Sequence, residues 1–211
     1  MSAPQLVLAT HNGHKVAELR AILTGSMSAH SGTAGLVAEG IVGAGDLGAP
    51  EPVEDGITFA ENALIKARAL VAHTHLPAVA DDSGLSVDVL GGAPGIFSAR
   101  WAGHHGDDAA NLELLLAQLA DVPEQHRGAA FVCAAVLVTP EGHEHVETGR
   151  LTGTLLTAPR GAGGFGYDPI LRPTGESRSC AELTPDEKNA ISHRGQAFRA
   201  LAPHIGAALT S

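Results

Sequence analysis

Aromatic side chains are scarce in this sequence: five Phe, Tyr167 and Trp101 are all that its 211 residues contain. The interior has to be filled by Ala, Val, Leu and Ile, so each ring is a candidate for a specific contact. Cysteine is rarer still. Cys133 and Cys180 stand far apart in neither a CxxC pair nor a zinc spacing, which excludes a disulfide framework and leaves two structural thiols in a reduced, cytoplasmic protein as the expectation. Positive charge is also short, with 13 Lys and Arg against 23 Asp and Glu for a net charge of −10. A protein that tracks long nucleic acid would carry a basic stripe, so long nucleic acid is excluded as the expected partner. No apolar run reaches the roughly 18 residues of a membrane span. The first ten residues lack the basic and apolar segments of a signal peptide. There is no GxxxxGK[ST] element, which excludes a P-loop NTPase.

A hydrophobic content of 44% with 17% charged residues is that of a globular chain, and the length suits one α/β unit over 1–211. Gln5 to Ala9 reads as a strand that breaks at Thr10-His11-Asn12-Gly13, after which Val16, Leu19, Ile22 and Leu23 recur at helical spacing. From Thr24 to Pro52 the chain is rich in Gly, Ser and Ala, which predicts a loop with a weak strand at Leu36 to Glu39. Thr58-Phe-Ala-Glu61 is a capping box that opens a helix carrying Leu64, Ala67 and Val71. Pro77 to Ala80 reads as a strand ending at Asp81-Asp82-Ser83-Gly84, followed by alternating Leu85, Val87 and Val89. Asp107-Asp108 suits the N-terminus of a helix bearing Leu112, Leu115, Leu116 and Leu119. Ala129 to Thr139 and His143 to Arg150 read as an antiparallel pair, so the predicted sheet is mixed. Gly161 to Pro169 is too glycine-rich for regular structure. Thr184-Pro-Asp-Glu187 opens another helix, and a last one runs from about Arg194 with Phe198, Leu201 and Ile205 on one face.

Several of these places suit chemistry. Thr10 to Lys15 lies between a strand and a helix N-terminus, where backbone N–H groups and Lys15 favour an anion; an N-cap at Asn12 beside an exposed lysine is the plainer alternative. Asp81 and Asp82 can hold a hard divalent cation, with Glu54 or Asp55 as a further oxygen donor; a solvated Asx-type turn is the plainer alternative. Lys66, Lys188 and Arg194 are the remaining cations of interest, and Phe165 between two glycines offers a face on which a planar base could stack. His143-x-His145 and His104-His105 invite a zinc reading, but spacing places no third ligand, and surface histidines are the expectation.

Five segments in order, ATHNGHK (9–15), TFAENALIKA (58–67), AVADDSGLSVDVLGGAPGIFSARWAG (78–103), GGFGYDPI (163–170) and ELTPDEKNAISHRGQA (182–197), resemble the non-canonical purine nucleoside triphosphate pyrophosphatases, a family also called inosine/xanthosine triphosphate pyrophosphatase. The resemblance runs from Leu6 to about Leu201. It implies an elongated α/β fold in which a twisted mixed sheet separates two lobes with the substrate in a cleft between them. It also implies a homodimer that uses Mg²⁺ to hydrolyse ITP, dITP and XTP to the monophosphate and pyrophosphate, cleansing the nucleotide pool.

By position, the resemblance assigns Thr10, His11, Asn12, Gly13, His14 and Lys15 to the triphosphate, with Lys66 as a second phosphate-binding lysine. It makes Asp82 the proton acceptor and a metal ligand, Glu54 a second metal ligand and Ser83 a substrate contact. Phe165, Gly166, Tyr167, Asp168, Lys188, His193 and Arg194 fall to the nucleobase. Asp81 is expected beside Asp82 as an orienting carboxylate. His11 stands where the family usually has Gly, and Trp101 where it usually has Tyr. A Maf-like pyrimidine triphosphate pyrophosphatase and a non-catalytic nucleotide sensor are the alternatives; the SHRGQA segment weighs against the first and the retained carboxylates against the second.

Overall fold

The computed structural model describes residues 4–10 and 40–210. In chain order these form β1 (Leu6–Leu8), β2 (Ile41–Gly43), α1 (Phe59–Thr74), β3 (Ala78–Val87), α2 (Asp108–Gln118), β4 (Gly128–Val138), β5 (Glu144–Leu155), β6 (Leu171–Pro173), α3 (Pro185–Ile191) and α4 (His193–Thr210), with short 3₁₀ turns among them. The helix expected around Val16 to Leu23 and the strand expected at Leu36 to Glu39 lie outside the described residues.

The strands form a six-stranded sheet in the order β2-β1-β3-β4-β5-β6. β1 is parallel to both β2 and β3, whereas β5 and β6 are antiparallel with Thr154 opposite Arg172. The sheet is therefore mixed, as the sequence led one to expect. Among the described residues, no helix is long and apolar enough to cross a membrane.

The chain divides into two compact units. The first comprises the described residues up to Asp82 together with Ala134–Gly149 and the chain from Gly195. Its core is built from small side chains, among them Val7, Ala63, Ala67, Leu70, Ala78, Ala80, Val136 and Val138. α1 starts where the capping box predicts: the Thr58 hydroxyl accepts the Glu61 N–H at 3.1 Å, and the Glu61 carboxylate accepts the N–H groups of Ile57 and Thr58 at 2.7 and 3.2 Å. It ends at His75, which takes the left-handed conformation (φ 56°) and returns its N–H to the Val71 carbonyl.

The second unit comprises Ser83–Cys133 and Arg150–Arg194. Its core uses larger side chains, including Leu85, Val87, Leu112, Leu115, Phe131, Leu155, Tyr167, Ile170 and Leu171. α2 is capped by Asp107, whose carboxylate accepts the Ala110 N–H at 3.0 Å. Beyond its far end the buried Arg127 guanidinium donates to the carbonyls of Leu119 (2.6 Å), Val122 (2.8 Å) and Leu156 (3.2 Å), which ties the chain after α2 to the chain after β5.

Three expectations need correction. Asp81-Asp82-Ser83-Gly84 does not end a strand: β3 runs unbroken from Ala78 to Val87. Gly84 serves close approach here and not a turn, because a Cβ at that position would collide with the Ser98 hydroxyl and the Gly95 carbonyl. Val89 does not continue the alternation but falls in a 3₁₀ turn, Asp88–Leu90. β5 extends past Arg150 to Leu155, where it gains β6 as a partner.

Candidate active site

In the first unit, α1 and the chain before it bring unlike charges together. The Lys66 ammonium lies 3.2 Å from Glu54 Oε1 and 3.9 Å from Asp82 Oδ1. The Lys66 and Asp82 side chains are each 17% exposed and that of Glu54 is 35% exposed, so their attraction is screened less than at an open surface while a small solute can still reach them. Asn62, one turn before Lys66 and on the same face of α1, donates from Nδ2 to Asp82 Oδ2 at 3.1 Å. Its Oδ1 accepts the Gly56 N–H at 2.9 Å.

Two carboxylates around one ammonium form an oxygen donor set that already accommodates positive charge. That set fits Mg²⁺, which takes one or two carboxylates and completes its shell with water and phosphate oxygens. Among the described residues, no three His, Cys, Asp or Glu side chains converge on one metal position, so Glu54 and Asp82 would leave most of the shell to water and phosphate oxygens. His143 and His104-His105 accordingly form no such site, and His145 stacks on His204 with ring centroids 4.2 Å apart. Consecutive residues of a strand point to opposite faces, so β3 does not bring Asp81 to the face on which Asp82 meets Lys66.

In the second unit, the glycine-rich loop folds around Asp168. Its carboxylate, 4% exposed, accepts the Phe165 N–H at 2.9 Å and the Lys188 ammonium at 2.5 Å. A Cβ at Gly164, whose φ is 74°, would run into that carboxylate, so glycine is required on two counts. Lys188 also sits 5.1 Å from the centroid of the Phe165 ring, which is 60% exposed. Asp108 at the start of α2 accepts the Gly166 N–H at 2.8 Å. Tyr167 points into the core and donates its hydroxyl proton to the Ser98 carbonyl at 2.9 Å. Burial, reinforced by the Asp108 charge, raises its phenol well above the usual range.

α3 holds Lys188 from its own cap. The Glu187 carboxylate accepts the Thr184 N–H at 2.8 Å; this bond, the Thr184 hydroxyl and Arg178 keep its carboxyl below the usual range. Arg194 is buried and donates from Nη2 to the Ser83 hydroxyl at 3.2 Å. His193 stacks on Phe131 with centroids 5.1 Å apart. Cys180 is a thiol pushed up to about 12 by burial and by the Asp168 charge, and Cys133 is buried too. The Cys180 thiol is therefore not a nucleophile at neutral pH.

The residues singled out in the sequence thus form two sets: Glu54, Lys66 and Asp82 in the first unit, and Ser83, Phe165 to Asp168, Lys188, His193 and Arg194 in the second. Thr10 follows β1 and donates its N–H to Leu8; His11, Asn12, Gly13, His14 and Lys15 lie outside the described residues. Sequence reasoning missed Asn62 and saw in Asp108 only a helix-dipole partner. A signal for Asn62 existed: it is a poor helix former spaced one turn from a site lysine.

Residues 6–204 match the model of the Ham1 family. A dITP/XTP pyrophosphatase of Streptomyces coelicolor is 62% identical over 202 residues, which cover 95% of this chain and 96% of that one. One from Frankia alni is 56% identical across 98% of this chain and all of its own. Among solved structures, a nucleoside-triphosphatase / dITP/XTP pyrophosphatase from Mycobacterium abscessus superposes with a TM-score of 0.77 at 52% identity, covering 94% of this chain and 99% of that one. A HAM1 protein from Coxiella burnetii gives a TM-score of 0.85 at 38% identity, covering 97% and 100% respectively. With a family model spanning nearly its full length and relatives this similar along all of it, the chain belongs to the Ham1 family.

Proposed function

We infer that the protein is a dITP/XTP pyrophosphatase, a hydrolase that converts ITP, dITP and XTP to the nucleoside monophosphate and pyrophosphate. The observation that carries this reading is the first-unit cluster, in which Lys66 lies within reach of both Glu54 and Asp82. Such a set offers a phosphate-binding cation and a carboxylate base in one place. Glu54 and Asp82 are the residues that would hold Mg²⁺, which when bound neutralises charge on the triphosphate oxygens.

Asp82 accepts the proton of the attacking water. The water oxygen bonds to the α-phosphorus, the bond from that phosphorus to the bridging oxygen breaks, and pyrophosphate leaves with the electron pair. Lys66 steadies the charge of the leaving group. Thr10 to Lys15, by resemblance, grip the remainder of the triphosphate.

The second-unit set is assigned to the base. Phe165 offers an exposed ring for stacking, and Lys188 has donors beyond the one committed to Asp168. A 6-oxo purine presents an acceptor to a Lys188 or Arg194 donor, whereas the adenine amino group leaves that donor unpaired. A homodimer in the cytoplasm belongs to the same reading.

The test is product analysis with Mg²⁺ against ITP, dITP, XTP, GTP, ATP and dTTP, resolving pyrophosphate from orthophosphate. Pyrophosphate release concentrated on ITP, dITP and XTP is expected. Orthophosphate release, or a preference for dTTP, would overturn the reading.

A further inference from the structure

We propose that Asn62 is the positioning residue of this site: one buried side-chain amide fixes the Asp82 carboxylate and the chain segment that carries Glu54 at the same time. Three observations support this. Asn62 is only 1% exposed in the first turn of α1, and the burial of its amide demands partners. Both ends of the amide are used, Oδ1 by the Gly56 N–H at 2.9 Å and Nδ2 by Asp82 Oδ2 at 3.1 Å. Gly56 itself must be glycine, since a Cβ there would stand 2.7 Å from Asn62 Oδ1 and 2.7 Å from the Glu61 Cβ.

The Gly56 contact also sets the direction of the amide. A backbone N–H can only be accepted by the amide oxygen, so the NH₂ end must face Asp82. Asp82 Oδ2 thereby accepts from Asn62, while Oδ1 is the oxygen on the Lys66 side, 3.9 Å from the ammonium. Gly56 lies just beyond Glu54 in the chain, so anchoring Gly56 to the same amide sets the spacing of the two carboxylates. A group that orients a reacting carboxylate contributes to turnover more than to substrate affinity.

The inference rests on the role given to Asp82 above, and the experiment separates the two. Asn62→Asp keeps an acceptor for Gly56 but turns the donor facing Asp82 into a carboxylate oxygen, whereas Asn62→Leu removes both bonds. With dITP and Mg²⁺, Asn62→Asp is expected to lower kcat by about tenfold or more with KM changed by less than about threefold. In the same variant, free of nucleotide and metal, the Gly56 amide stays protected from hydrogen exchange; in Asn62→Leu that protection is lost. If Asn62→Leu fails to fold, Asn62→Asp still decides the matter. Parental kcat in Asn62→Asp, with Asp82→Asn inactive in the same assay, overturns the positioning role alone. An active Asp82→Asn overturns both readings.

Discussion

Small side chains build one unit of this protein and large ones the other, and the two candidate sites differ in the same sense. In the first unit, Ala63 and Ala67 let α1 lie close over its strands, so a residue as short as Asn62 spans from the helix to Asp82. In the second, Leu, Phe and Tyr side chains form a wider core, and the Tyr167 ring pins a glycine-rich loop that could not bury itself. The charges follow suit. Glu54 and Asp82 both face the Lys66 ammonium, so two carboxylates share one cation there. Asp168 and Lys188 pair one to one at 2.5 Å, which leaves a balanced, mostly buried pair suited to a neutral ring. On the proposed reading, the first arrangement serves a phosphate chain and the second a nucleobase.

The sharpest way to break this contrast is to neutralise the first cluster. Asp82→Asn should reduce kcat by about 10³-fold or more, since a general base and its charge are lost together, while nucleotide binding persists. Steady-state kinetics beside equilibrium binding of dITP checks this, and unchanged turnover would remove Asp82 from the chemistry.

Lys188→Ala probes the other side with a smaller effect. Preference for ITP over ATP should fall by about tenfold, the worth of one hydrogen bond to a buried group, with the Mg²⁺ dependence unaltered. An altered Mg²⁺ dependence with preference intact would move Lys188 to the phosphates.

The smallest effect concerns the loop anchor. Tyr167 is the single tyrosine, so phenolate absorbance reports on it alone. Its folded pKa is raised above the ordinary tyrosine value of about 10, so the stability it contributes is complete below pH 10 and declines as pH rises towards the folded value. Phenolate absorbance should therefore stay absent above pH 10 while the fold persists, and emerge only with the loss of circular dichroism. Tyr167→Phe should cost about 1–3 kcal/mol, because the Ser98 carbonyl loses its buried donor.

What the sequence shows of all this is mostly local. Thr58 and Thr184 announce their helices because a capping box is complete within four residues, and the helical spacing of Leu112 to Leu119 marks α2 within a single element. Asp81-Asp82-Ser83-Gly84 misleads because Gly84 answers to Ser98 and Gly95, whose approach no local pattern encodes. β2 and β6 are three residues each, too short for alternation to register. The site residues stand out by chemical type, and the resemblance assigns their roles. Their partners do not stand out: Asn62 to Asp82 and Asp168 to Lys188 each span 20 positions and exist only once the chain has folded.

The central claim is that the first-unit cluster directs water to the α-phosphorus, and solvent oxygen reports on it directly. Turnover of dITP with Mg²⁺ in ¹⁸O-labelled water, followed by mass analysis of both products, should place the label in the monophosphate and leave pyrophosphate unlabelled. Label in the pyrophosphate would mean attack at the β-phosphorus and would contradict the account.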